Sequence, residues 1–165
     1  AGGGGARPRR RVRAVQAGSG WRRTPAGDPA RANPCLDREG IRPEIGSFGH
    51  RNPQAAAINP ATGELWTVEH GARGGDEINI PKAGRNYGWP VISYGTHYSG
   101  RKIGEGTEKR GMRQPLIYWD PSIAPSGMVV YEGTMFPEWR GDLFCGPCKF
   151  CSNSQVGGTW LAPCL

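Results

Sequence analysis

Three observations predict an all-β chain of short strands joined by glycine turns. Glycine (27) and proline (15) make up about a quarter of the 165 residues, against a usual share of roughly 12%, and both disfavour helix interiors. Apolar and polar residues alternate with a period of two over short segments. Turn residues punctuate those segments at regular spacing, which is the pattern of a sandwich, barrel or propeller. Six Trp, five Tyr and four Phe supply enough apolar bulk for a core.

Along the chain, residues 1–23 hold seven arginines, no acid and no hydrophobic periodicity, and are expected to form a disordered Gly/Arg-rich tail. Residues 24–42 are a polar, proline-punctuated loop that opens the ordered region, expected to run from 24 to 150. Residues 55–59 and 64–69 read as two strands around the turn Asn59-Pro60-Ala61-Thr62-Gly63, which combines the fixed φ of proline with the freedom of glycine. Leu65, Thr67 and Glu69 alternate there with Trp66, Val68 and His70. Residues 76–80 form a third strand, closed by Pro81 and the turn Ala83-Gly84-Arg85. Residues 128–131 and 142–144 form a second unit around Glu132-Gly133, and residues 151–165 read as an irregular tail. Helix is expected to be nearly absent.

Charge narrows the function classes. The formal net charge is +7, yet residues 24–165 carry fourteen basic and fourteen acidic side chains, so the whole excess lies in the first 23 residues. A neutral body argues against a nucleic-acid surface. No run approaches the ~20 apolar residues of a membrane span, and the basic start has no apolar stretch behind it to make a signal peptide.

Four clusters could carry chemistry. Gly49-His-Arg-Asn-Pro-Gln54 places a planar guanidinium beside amides, a set able to hold a polyanion. The plainer reading is a loop in which Arg51 and Asn52 bond backbone carbonyls. Glu69-His-Gly-Ala-Arg-Gly-Gly-Asp-Glu77 joins carboxylates to a glycine loop that could turn carbonyls toward a hard cation, without the alternating oxygens of an EF-hand. His50 and His70 lack metal-ligand spacing and are expected to be hydrogen-bonded structural residues. Trp89 and Trp119, in aromatic and proline-rich turns, could stack on a flat ligand or simply fill the core. Cys145-Gly-Pro-Cys148-Lys-Phe-Cys151 has the spacing of a redox pair or metal site, but no amphipathic helix follows it, so neither is expected. Five cysteines in all, an odd number, say little about redox compartment.

GHRNPQ, a PATGELW hairpin, EHGARGGDEIN, GRNYGWPVISYG, WDPSIAPSGM and FPEWRGDLF follow one another in that order. Together, across roughly residues 24–149, they resemble the glucose/sorbosone dehydrogenase family of soluble aldose sugar dehydrogenases, which use pyrroloquinoline quinone (PQQ) and calcium. The resemblance implies a six-bladed β-propeller, of which this chain would supply about two blades, and hence a fragment. It implies oxidation of an aldose at C1 to its lactone, an electron acceptor as partner, and an exported, periplasmic or secreted parent. Carried over by position, Arg51, Asn52, Tyr98, Ser122 and Lys149 would contact PQQ. The backbone carbonyls of Gly71 and Ala72 would help hold the PQQ-linked calcium, and Glu77 with the Tyr87 carbonyl a second, structural calcium. The family's catalytic histidine precedes GHRNPQ, and no histidine precedes His50 here, so the chain is expected to lack that base and to be inactive alone. Departures from the pattern are Ala55-Ala56-Ala57 after Gln54 and Ala72 in place of a common proline. The alternative is a non-catalytic, propeller-derived module binding carbohydrate or protein.

Overall fold

The computed structural model describes residues 45–147 continuously, together with Glu39 and three two-residue strands outside that span. The expectations for most of residues 1–44 and 148–165, including Lys149 and the partner cysteines of Cys145, lie outside the described residues.

Among the described residues ten strands run in chain order: β1 Val12–Arg13, β2 Ile45–Ser47, β3 Pro53–Ile58, β4 Leu65–Glu69, β5 Asp76–Asn79, β6 Ile117–Trp119, β7 Pro125–Val130, β8 Leu143–Pro147, β9 Gln155–Val156 and β10 Thr159–Trp160. Among the described residues the single helical element is one 3₁₀ turn, Pro137–Trp139. The described chain is therefore mostly strand, in accord with its glycine and proline content. Strands β3-β4-β5-β6 form an antiparallel four-stranded meander, while β7-β8, β1-β2 and β9-β10 pair separately. A four-stranded antiparallel sheet beside a second hairpin is consistent with a propeller.

The β3–β4 turn forms as its chemistry requires. Asn59 Oδ1 accepts from the backbone N–H of Ala61 and of Thr62, Gly63 N–H donates to Asn59 O at 2.7 Å, and Gly63 takes φ +69°. Register then places Ala57 against Trp66 and Ala55 against Val68.

The core lies between the meander and the β7–β8 hairpin. Val68, Ile78, Val130, Leu143 and Cys145 form its buried cluster, flanked by Ala55, Trp66, Ile117, Trp119 and Met128. Trp119 is thus a core residue, the plainer of its two readings. The sequence alternation in β4 predicts one buried face, but Thr67, Val68 and Glu69 are all buried. β4 is an interior strand, with Val68 in the apolar cluster and Glu69 in a polar network on its other side. Five of these strands were not legible in the sequence: β1, β2, β6, β9 and β10, each only two or three residues long and so too short to show a period.

Candidate functional site

The site forms where β3, β4 and β5 meet. Glu69 ends β4 and faces Glu77 directly across the β4–β5 ladder, while Pro53 at the start of β3 pairs with Glu69 from the other side. Arg51 and Asn52 therefore arrive beside the end of β4. Residues 70–75 double back between β4 and β5. A Cβ on Gly71 would collide with the backbone of Gly74 and Gly75, and those two take φ +77° and +71°. Only glycine permits both the close approach and the left-handed turns.

Arg51, Glu69, Gly71, Glu77, Tyr87 and Trp89 are among the residues that line a cavity of about 10 Å³ here, a space that one water or ion fills. The Arg51 guanidinium lies 5.2 Å from the centre of the Trp89 ring and donates through Nη1 to His70 O at 3.0 Å and to Gly71 O. Arg51 thus does bond backbone carbonyls. Its Nε, however, is buried without a hydrogen-bond partner, which leaves one donor unmet.

Behind Arg51 lies a buried polar chain. Glu69 Oε1 accepts from His50 Nδ1 and Asn79 Nδ2, both at 2.9 Å. Its Oε2 accepts from the backbone N–H of Arg51 at 2.6 Å and of Asn52 at 3.2 Å. A carboxylate only accepts, so His50 carries a proton on Nδ1, and its Nε2 is hydrogen-bonded to the Ser47 hydroxyl at 2.9 Å. The His50 ring also stacks on Tyr87, centroids 4.6 Å apart. His70 donates through Nε2 to Pro125 O at 2.7 Å. Both histidines are hydrogen-bonded structural residues.

Glu77 is in a different state. Asn79 Nδ2, at 3.2 Å, donates to its Oε2, whereas Glu69 holds four donors. Burial first, and then the facing Glu69, push the Glu77 carboxyl up to about 8. Asn79 Oδ1 beside it is a buried acceptor with no partner. A partly buried carboxyl with one side-chain donor, an orphaned amide oxygen and a glycine-loop backbone are all oxygen donors, the type that suits a hard cation. The hydroxyl of Tyr87 is committed, donating to Ile80 O at 2.7 Å and accepting from Lys82 N–H at 3.0 Å, so the carbonyl is the Tyr87 oxygen left for such an ion.

Not every predicted residue gathers at this cavity. Gly71, Glu77, Tyr87 and Arg51 line it, and Asn52 adjoins it through its backbone. Ala72 sits in the same loop, bridged to Gly74. Ser122 donates instead to Asp76 Oδ2 at 2.6 Å, so its proton is already used. Asp76 also accepts from Gly71 N–H at 2.8 Å and Ala124 N–H at 2.9 Å, tying the glycine loop to the Pro121–Pro125 turn. Tyr98 is 70% exposed in the 96–102 loop, packed edge-on to His97. The anchoring roles of Glu69, Asp76 and Asn79 were not read from the sequence. Their one visible signal is two acids and an amide at strand ends, Glu69 closing β4 and Asp76 and Asn79 bounding β5. In the CxxC segment, burial, with Asp76 nearby, pushes the Cys145 thiol up to about 12, the opposite of a reactive thiolate.

Strands and glycine loops thus bring a guanidinium, a carboxyl and backbone carbonyls to one small cavity of a β-rich protein. The profile of the Glucose / Sorbosone dehydrogenase family matches residues 2–155, a span wider than the 24–149 that carries the motifs, and the chain belongs to that family. It is 49% identical over 130 residues to aldose sugar dehydrogenase YliI of Escherichia coli (strain K12), covering 78% of this chain and 35% of that protein. Quinoprotein glucose dehydrogenase B of Acinetobacter calcoaceticus is 33% identical over 120 residues, 71% of this chain and 23% of that one. The chain therefore spans about a third or less of the length of these relatives. Among solved structures, the apo-form of soluble aldose sugar dehydrogenase from Escherichia coli superposes with a TM-score of 0.74 at 44% identity, covering 83% of this chain and 41% of that one. The PQQ-bound form of aldose sugar dehydrogenase from Streptomyces coelicolor gives 0.55 at 28% identity, covering 86% and 36%. Among the described residues, no helix is long and apolar enough to cross a membrane.

Proposed function

We propose that the chain is part of a PQQ-dependent aldose dehydrogenase and carries one wall of its cofactor and calcium sites. Family membership and the PQQ-bound relative support the cofactor. The observation that carries the reading is the Arg51 guanidinium, with an unmet buried donor, at the same cavity as the under-bonded Glu77. PQQ has three carboxylates, and a guanidinium matches carboxylate geometry. An anion beside Arg51 would also relieve the repulsion between that cation and a metal ion on the neighbouring Gly71 carbonyl.

In this reading Arg51 and Asn52 bind and orient PQQ at its carboxylates and carbonyls. The Gly71 and Ala72 carbonyls would help hold the PQQ-linked calcium, Glu77 and the Tyr87 carbonyl would hold a second, structural calcium, and Trp89 stacks on Arg51. Bound PQQ supplies a two-electron acceptor for the hydride from sugar C1. The parent oxidises aldoses to lactones, passes electrons to a separate acceptor and works in an exported compartment. The general base comes from a part of the parent protein that precedes GHRNPQ in the family. Titration of PQQ into the chain, followed by absorbance with and without Ca²⁺, tests this. Binding that needs Ca²⁺ and is lost in Arg51→Ala is the expected result. Indifference to both PQQ and Ca²⁺ would instead favour a non-catalytic module.

A further inference from the structure

Glu69 is placed as no cation ligand would be. It is 3% exposed and all four of its acceptor positions are filled, by His50 Nδ1, Asn79 Nδ2 and the backbone N–H groups of Arg51 and Asn52. A carboxylate offers about four lone-pair sites, so nothing remains with which to bind an ion at full strength. Two of those bonds are to consecutive peptide groups. Holding two successive N–H groups on one oxygen fixes the direction of the chain where the Arg51 and Asn52 side chains leave it. The acid is itself fixed from behind, because His50 is clamped between Glu69 and the Ser47 hydroxyl and stacks on Tyr87.

We infer that Glu69 is a positioning residue for the quinone-binding pair, acting through the peptide groups of Arg51 and Asn52, with Ser47–His50 as its brace. The inference rests on the cofactor reading above and adds to it the group that sets the geometry of the grip. Charge-assisted bonds to a buried carboxylate are about twice as strong as neutral ones, and a small misplacement of a binding group is enough to weaken its ligand. Glu69→Gln keeps the size but turns an NH₂ toward donors that the carboxylate satisfied. It thereby releases either the peptide groups or the His50–Asn79 side.

The test is a double-mutant cycle on PQQ affinity in Ca²⁺-containing buffer, by absorbance titration of wild type, Glu69→Gln, Arg51→Ala/Asn52→Ala and the combination, with circular dichroism as the check of fold. Glu69→Gln should weaken PQQ by about tenfold or more, and should have no further effect, within about threefold, once Arg51 and Asn52 are truncated. Multiplying effects, or unchanged affinity in Glu69→Gln, would overturn the inference while leaving the cofactor reading intact. No binding by wild type, or unchanged binding by the Arg51/Asn52 variant, overturns the cofactor reading and this inference with it. Should Glu69→Gln not fold, Glu69→Asp keeps the charge but withdraws it by one methylene, and the same cycle applies. Loss of fold in both would assign Glu69 to stability alone and reject the positioning role.

Discussion

Replacing Glu77 with Gln should stabilise the metal-free chain, and increasingly so as pH rises. In the fold this carboxyl sits at about 8, against 4.5 for the free side chain, because it is buried and faces Glu69 across the β4–β5 ladder. The folded chain therefore holds this proton more tightly than the unfolded chain does. Stability from Glu77 is fully present below pH 4.5 and is lost progressively as pH rises through about 8. The gap amounts to roughly 5 kcal/mol once pH is above both values, and to about 3 kcal/mol at pH 7. Neutral Gln carries none of this dependence.

The assay is urea unfolding followed by tryptophan fluorescence, in chelator, for both proteins at pH 5 to 8. Carboxylates far from Glu77 titrate alike in both, so the difference between them reports Glu77 together with its coupling to Glu69 and Asp76. That difference should grow by roughly 3 kcal/mol across the range, with Glu77→Gln the more stable at pH 8. A difference constant to within about 0.5 kcal/mol would refute both the burial argument and the reading of Glu77 as a carboxylate waiting for a cation. Calcium should then narrow the gap between the two proteins. At a hundred times its dissociation constant it stabilises wild type by about 2.7 kcal/mol and should leave Glu77→Gln nearly unchanged.

Asp76→Asn should cost roughly 2–3 kcal/mol, because one amide group would face the Gly71 N–H or the Ser122–Ala124 donors that the carboxylate accepts from; equal urea midpoints would contradict this. Ile78→Ala, at a fully buried core position, should cost about 2–5 kcal/mol by the same measurement. Cys145 should resist alkylation at pH 8 by about a thousandfold relative to an ordinary thiol, given its value of about 12. Site-resolved mass spectrometry in native buffer and in urea checks this, and equal labelling in the two would refute it.

What the sequence made legible follows from how local each signal is. The β3–β4 hairpin was readable because its whole turn chemistry lies in five consecutive residues, with Asn59 bonding forward to Ala61 and Thr62. Arg51 and Glu77 were readable from motif order, and the structure brings them to one cavity. Ser122 was equally readable as a motif position, yet its hydroxyl turns to Asp76, forty-six residues away. No local pattern encodes that bond. The same limit applies to Glu69, whose donors come from β2's flank, the Arg51–Asn52 loop and β5. Interior strand β4 also hides its polar face, since burial on both sides erases the contrast on which a period of two depends.

Three acids lie within nine residues, Glu69, Asp76 and Glu77, and hydrogen-bond satisfaction separates their work. Glu69 accepts four bonds and Asp76 three, all from the protein. Each ties one loop to another: Glu69 holds the Arg51–Asn52 approach, and Asp76 joins the glycine loop to the Ser122 turn. Glu77 receives one side-chain donor and is held above the ordinary carboxylate range. Buried charge is tolerated only where donors or a counter-ion meet it. The two satisfied acids therefore maintain the frame without any ligand, and the unsatisfied one is where a cation gains most. Were all three ligands to the same ion, removing it would loosen both loops together. With the bonds divided as they are, metal removal should weaken the cation site and leave the Arg51–Asn52 geometry standing.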